Sequence, residues 1–202
     1  MTSDTGPDAR SLVGRRLREA RTRTGLSVSA LARRLGISTS AVSQIERGVM
    51  QPSVSRLIAM TDALGVPLAT VLSATGVPAS GDGEAYAIER AEDAAFLQLG
   101  GGVVFRRLTP GESPGIDYFE SIYPPGSTAA AKDQLFRHEG YEVGQMISGE
   151  LTIDFSDEIV VLRPGDTISY PCSRPHRLHN TGGEPAVARW LIVHPSPPTA
   201  PA

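Results

Sequence analysis

Residues 26–48 read LSVSALARRLGISTSAVSQIERG, two short amphipathic runs hinged on one tight turn. Ser27 is an N-cap residue type, and Val28, Leu31, Ala32 and Leu35 repeat at helical spacing until Gly36 stops the run. Ser38 can cap the next run, in which Val42 and Ile45 are the apolar anchors and Gly48 the stop. Ala32 is small where two closely joined helices must cross, and Gly36 permits a sharp turn. Working outward, Leu12, Leu17 and Ala20 mark an earlier helix that ends at Gly25. Pro52-Ser53 opens a fourth, with Val54, Leu57, Ile58 and Leu64 ahead of Gly65. Leu68, Val71 and Leu72 predict a short fifth. Five helices in about sixty residues make a small bundle with short connections.

Once Val42 and Ile45 face the core, Thr39, Ser40, Ser43 and Gln44 point outward near the start of their helix. Hydroxyls and amides suit base edges and phosphates, and Gln can make two bonds to adenine. The positive end of the helix dipole favours phosphate as well. The block, with IERG and the following PSVSRLIAMTDALGVPL, resembles the Cro/CI-type (xenobiotic-response-element) helix-turn-helix domain over roughly residues 12–72. The resemblance makes Ser38–Arg47 the recognition helix, so Ser38 and Arg47 join Thr39, Ser40, Ser43 and Gln44 as expected DNA contacts. It also pairs Arg21 with Glu46 as a structural brace. Many members of that family carry Gln early in the second helix, where this chain has Val28, so one phosphate-positioning contact is absent. A domain of this size buries too little surface for tight specific binding. A homodimer on a pseudo-palindromic double-stranded operator is therefore expected, with half-sites about one turn (~34 Å) apart.

The whole chain has 202 residues, a net charge of −3 and one cysteine. That length allows one large or two small domains. Residues 1–75 hold ten arginines against five acidic residues, and the remainder nine basic against seventeen acidic residues. A basic head on an acidic body predicts two modules with different partners. A single Cys172 excludes an internal disulfide framework and any multi-cysteine zinc module. No apolar run approaches the ~18 residues of a membrane span. Met1–Arg10 lacks the apolar core of a secretory signal, so the cytoplasm is the expected location.

Beyond residue 75 the periodicity changes. Short β-prone runs at 103–108, 116–123, 143–147, 151–155, 159–162, 167–170 and 186–193 are separated by turn signals such as Pro110-Gly111, Ser148-Gly149 and Pro164-Gly165-Asp166. Such spacing predicts an all-β barrel or sandwich. The expected organisation is an α + β two-domain chain. Residues 1–10 form a disordered arm, 11–74 a five-helix bundle and 75–94 a linker rich in Gly and Pro near its start. Residues 95–195 form a β-barrel and 196–202 a Pro-rich tail.

The segments FRHEGYEVGQMISGE (136–150) and GDTISYPCSRPHRLHN (165–180) resemble the two motifs of the cupin barrel, a jelly-roll-like fold. His138, Glu142 and Gly149 fit the first motif, with Phe136 in place of its first histidine. Gly165, Pro171, His176 and Asn180 fit the second, with Ser173 in place of a usual glycine. The resemblance implies His138, Glu142 and His176 as ligands of one divalent metal. Two imidazoles and a carboxylate suit Zn, Ni, Mn or non-haem Fe(II). The other reading of the same residues is a metal-free pocket that hydrogen-bonds an organic effector. Positions four apart on a straight strand lie ~13 Å from each other, so His138 and Glu142 meet only if the chain bends, and Gly140 is placed to allow it. Tyr123, Phe136, Tyr170 and Trp190 are the aromatic candidates for lining an effector pocket, with Tyr141 nearby. Arg137, Arg174 and Arg177 could hold a carboxylate. Cys172 reads as a small core or edge residue.

The function this predicts is a DNA-binding transcriptional regulator, not an enzyme. Its cupin domain senses a small molecule or metal and modulates operator binding, with the linker as hinge. The alternative is a mononuclear non-haem iron cupin enzyme, like the epoxidase of fosfomycin biosynthesis, carrying an attached helix-turn-helix domain.

Overall fold

The computed structural model describes residues 9–72, 86–93, 96–110, 113, 115–130 and 134–195. The expected arm up to residue 8, most of the linker and the Pro-rich tail lie outside the described residues.

Among the described residues five α-helices come first: α1 (Ala9–Arg23), α2 (Val28–Leu35), α3 (Thr39–Glu46), α4 (Val54–Leu64) and α5 (Leu68–Leu72). Local chemistry sets their ends. The side chains of Ser27, Ser38 and Ser53 each accept the backbone N–H three residues on, at 3.1, 3.1 and 3.2 Å. Such caps satisfy donors that the first helical turn leaves open. Gly36 closes α2 in the left-handed region at φ 63°, which a side chain would resist. Leu17, Leu31, Val42, Ile45, Leu57 and Val71 are buried and form the centre of the bundle.

Among the described residues nine strands follow: β1 (Phe96–Gln98), β2 (Val104–Arg107), β3 (Ile116–Tyr123), β4 (Tyr141–Ser148), β5 (Leu151–Asp154), β6 (Ile159–Leu162), β7 (Thr167–Pro171), β8 (Arg177–His179) and β9 (Ala186–Val193). They form a six-stranded sheet of order β1-β2-β3-β9-β4-β7 and a three-stranded sheet β6-β5-β8. The strict alternation of burial along β3, β4 and β9 shows one face of the larger sheet turned to the core. Phe105, Phe119, Leu151, Ile153, Leu178 and Trp190 fill the space inside. Strands β1 and β8 are three residues long, too short to show an alternation in sequence. Pairing with β2 and β5 defines them.

The helical head touches the sandwich through backbone. Gly100 N–H donates to the Pro52 carbonyl at 2.8 Å, and Ser55 N–H to the Ala129 carbonyl at 2.9 Å. Both helical partners sit at the start of α4, so the entry of this helix is tied to the β domain.

Candidate functional site

The first candidate surface is the outer side of α3. Ser38, Thr39, Ser40 and Arg47 are exposed, and Ser43 and Gln44 are half-buried. Val42, Ile45 and Glu46 on the opposite side are buried. The β domain therefore does not cover the polar side of α3. Gln44 Nε2 donates to Ser40 Oγ at 3.1 Å along the helix, an internal bond that a base edge would have to replace.

Behind α3, Arg21 reaches across from α1. Its Nε donates to Glu46 Oε1 at 2.6 Å, its Nη2 to Glu46 Oε2 at 3.0 Å and its Nη1 to the Leu26 carbonyl at 2.8 Å. The hydrogen bond to Glu46 pulls the guanidinium above its ordinary value, against the effect of burial. Two parallel bonds in the fork geometry fix the angle between α1 and the end of α3. Other arginines of the basic head are also engaged inside it. Arg34 Nη1 donates to the Ala63 carbonyl at 3.1 Å and Arg56 Nη1 to the Leu35 carbonyl at 3.2 Å. Of these three, only Arg21 is balanced by a carboxylate, while the carbonyl bonds of Arg34 and Arg56 leave their charge in place.

The second candidate site lies inside the sandwich, where residues 136–142 run antiparallel to 170–176. Glu142 stands opposite Tyr170 in the β4–β7 ladder, and Phe136 bridges His176. That register explains why the Tyr170 hydroxyl donates to Glu142 Oε2 at 2.9 Å. Gly140, at φ 108°, supplies the bend between His138 and Glu142. As a result His138 Nε2 lies 3.8 Å from Glu142 Oε2, and His176 Nε2 lies 3.7 Å from the same oxygen.

The protonation of this cluster follows from its burial. Desolvation, with His176 beside it, pushes the His138 imidazole down to about 4. Burial also lowers His176. Burial pushes the Glu142 carboxyl up to about 7, opposed by the Tyr170 hydrogen bond. Near pH 7 the imidazoles are thus neutral, and each keeps a lone pair. The tautomer is set from outside. His138 Nδ1 faces the Glu139 carbonyl at 3.1 Å and His176 Nδ1 the Arg174 carbonyl at 2.7 Å. A carbonyl only accepts, so Nδ1 carries the proton in both rings and Nε2 carries the lone pair. Both Nε2 atoms are buried and have no hydrogen-bond partner among the described residues. An unpaired buried polar atom costs ~1–3 kcal/mol. Two of them aimed near one carboxylate oxygen fit a divalent cation, with the backbone carbonyls holding the rings in place.

Cys172, which the sequence offered as a small core or edge residue, belongs to this cluster. The ligand atoms of His138, Glu142 and Cys172 all lie within 4.8 Å of one another, so this buried group could hold a metal. Its spacing of four from His176 carried the only local hint. The rest depends on strand pairing.

The proposed aromatic lining sorts by side of the sheet. Tyr123, Tyr170 and Trp190 are buried inside, and Phe136 is half-buried with its ring 4.2 Å from that of His176. Burial, then Glu142, raises the Tyr123 phenol above its ordinary range, so it stays protonated. Tyr141 is exposed on the outer face. Arg174 Nη2 bonds Asp157 and Glu158 at 3.1 Å each, and Arg177 bonds Asp154 at 2.7 Å. These two are engaged at the surface. Arg137 instead lines a cleft of about 900 Å³ between the end of α4 and the sandwich. Thr61, Asp62 and Pro67 form its helical wall, and His138, Glu139 and His194 lie on the other. No sequence signal announced this cleft, because its walls come from distant parts of the chain.

Comparison with known proteins accords with this architecture. A model described as a helix-turn-helix domain matches residues 12–73, and one described as a cupin domain matches residues 119–194. The crystal structure of an HTH_3 family transcriptional regulator from Vibrio cholerae has the same fold. It covers 93% of this chain and 97% of its own, at TM-score 0.67 and 20% identity. The chain thus joins a helix-turn-helix domain to a C-terminal cupin domain. Among relatives, it is similar to the HTH-type transcriptional regulator PuuR of Escherichia coli (strain K12). They are 26% identical over 183 residues, which span 90% of this chain and 93% of the relative. Its helical part is also similar to an uncharacterized transcriptional regulator in the ATPase CF(0) region of Rhodospirillum rubrum. That match is 43% identical over 56 residues, or 28% of this chain and 52% of the other.

Proposed function

We propose that the protein binds a DNA operator through α3 and adjusts that binding when its cupin domain takes up a metal ion or small molecule. The observation that carries this reading is the free polar side of α3. Ser38, Thr39, Ser40 and Arg47 face solvent while Val42, Ile45 and the Arg21–Glu46 fork anchor the opposite side. In this reading Ser43 and Gln44 complete the surface presented to the major groove. Arginine–phosphate pairing supplies most of the affinity and makes it fall with salt.

The sensing half rests on the interior cluster. His138, Glu142 and His176 would hold a divalent ion, which supplies Lewis acidity and open positions for a ligand. Tyr123, Phe136, Tyr170 and Trp190 would form the surrounding wall. His138 also lines the cleft that reaches Thr61 and Asp62 of α4. A change at His138 therefore has a short path to the helical head. Coupling requires that the ligand favour one placement of the head over another. A homodimer would present two heads to the two half-sites of an operator.

The test is selection of genomic fragments by the full-length protein, followed by footprinting. A protected pseudo-palindrome with half-sites about one turn (~34 Å) apart is expected, and Thr39→Ala with Gln44→Ala should lose it. No protected sequence at moderate salt would reject the reading.

A further inference from the structure

The register that joins the two motif segments brings a different kind of donor atom to the interior cluster. Cys172 N–H donates to the Gly140 carbonyl at 3.0 Å, and His138 N–H donates to the Cys172 carbonyl at 3.1 Å. The β4–β7 ladder pairs Glu142 with Tyr170 and Tyr141 with Pro171. Continued by one residue, it sets Cys172 opposite Gly140. Side chains alternate along a strand, so Cys172 shares the inward face with Tyr170 and Glu142. The thiol lies beside His138 and Glu142, and the three ligand atoms lie within 4.8 Å of one another.

A buried thiol alone would be an ordinary small core group. The independent observation is the pair of imidazole nitrogens beside it. Nε2 of His138 and Nε2 of His176 are buried, carry lone pairs and have no hydrogen-bond partner among the described residues. Both point toward Glu142 Oε2, at 3.8 and 3.7 Å. Packing alone gives no reason to leave two acceptors open around a carboxylate and a thiol.

We propose that Cys172 is a metal ligand, so that the centre combines one thiolate with the Glu142 carboxylate and imidazole nitrogen. This rests on the metal-binding reading above and adds a sulfur ligand to it. On coordination the Sγ–H bond is exchanged for an Sγ–metal bond, and the proton leaves to solvent. No electron is transferred. A thiolate beside imidazole selects Zn(II) or Fe(II) and disfavours Mn(II) and Mg(II), which prefer oxygen donors. His176, with Nε2 3.7 Å from the same carboxylate oxygen, lies next to this group of three but outside it.

The experiment is a Co(II) titration of the metal-free full-length protein, followed by absorption spectroscopy. A sulfur-to-cobalt charge-transfer band in the near ultraviolet is expected, saturating at one equivalent per chain. Cys172→Ser should lose that band and keep the visible cobalt bands. The same variant should weaken Zn(II) binding by about tenfold or more and leave Mn(II) binding nearly unchanged. Cobalt bound by the wild type without the charge-transfer band would overturn the role of Cys172 and leave the metal reading standing. If neither Co(II) nor Zn(II) binds the wild type, both fall. The wild-type spectrum decides the point even if the variant folds poorly.

Discussion

The helical head and the β domain dispose of their polar groups in opposite ways. The head closes its helix ends with Ser27, Ser38, Ser53 and the left-handed glycines, and it turns its remaining hydroxyls and amides on α3 outward. The β domain turns polar atoms inward, and those left without a partner among the described residues include the Nε2 atoms of His138 and His176, beside a carboxylate raised by burial. An outward polar face costs little and serves a large external partner. An inward, unsatisfied cluster costs folding free energy, a cost that a small bound ligand or ion would offset. On the proposed function, the contrast separates the surface that would read DNA from the interior that would sense a ligand.

The sharpest break of this contrast is to empty the interior cluster while sparing the face. His138→Ala with Glu142→Ala should abolish stoichiometric uptake of Zn(II) or Fe(II), read by elemental analysis, with basal operator binding intact. Stoichiometric metal on that variant would mean that other residues are the ligands. Next in size is the brace. Arg21→Ala leaves Glu46 buried and unpaired, and breaking such a pair costs ~3 kcal/mol. Denaturant unfolding of the helical head should show it, and Arg21→Met with Glu46→Leu should recover part of the loss. An unchanged midpoint for Arg21→Ala would remove the brace from the account.

A smaller effect is expected on the face itself. Gln44→Ala should weaken specific operator binding by ~1–3 kcal/mol if the amide reads a base, with little change in nonspecific affinity. Equal losses on both would assign Gln44 to the backbone instead. The smallest effect concerns the clasp at the rim of the cleft, where His194 Nε2 lies 2.8 Å from Asp117 Oδ2. The hydrogen bond to Asp117 raises His194 above its ordinary value, against burial, with Asp62 and Glu139 adding attraction. A raised imidazole stabilises the fold fully below ~6.5 and loses that contribution as pH rises through the higher folded value. Melting temperatures should therefore fall more from about pH 6 to about pH 8 in the wild type than in Asp117→Asn, by the equivalent of ~1 kcal/mol or less. Parallel profiles would show that the pair carries no pH-linked stability.

Much of the head was legible in the sequence because helix signals are local. Ser38, Val42, Ile45 and Gly48 lie within three turns of each other, and the outward side of α3 follows from the inward one. The Arg21–Glu46 fork spans 25 positions and was reached through the family resemblance, not from spacing. The interior cluster was legible only as residue types. Bringing His138 to Glu142 needed the bend at Gly140, which sequence could suggest. Placing Cys172 beside them needed the β4–β7 register, which depends on how distant strands pair. The ties of Pro52 and Ser55 to Gly100 and Ala129 depend on tertiary packing in the same way, so neither they nor the cleft had a local signature.

The most direct test of the account is operator affinity of the full-length protein, measured with the metal site empty and loaded, beside the His138→Ala/Glu142→Ala variant. The account predicts that loading changes wild-type affinity several-fold and leaves the variant unmoved. Equal affinity of empty and loaded wild-type protein, with the metal shown to be bound, would contradict it.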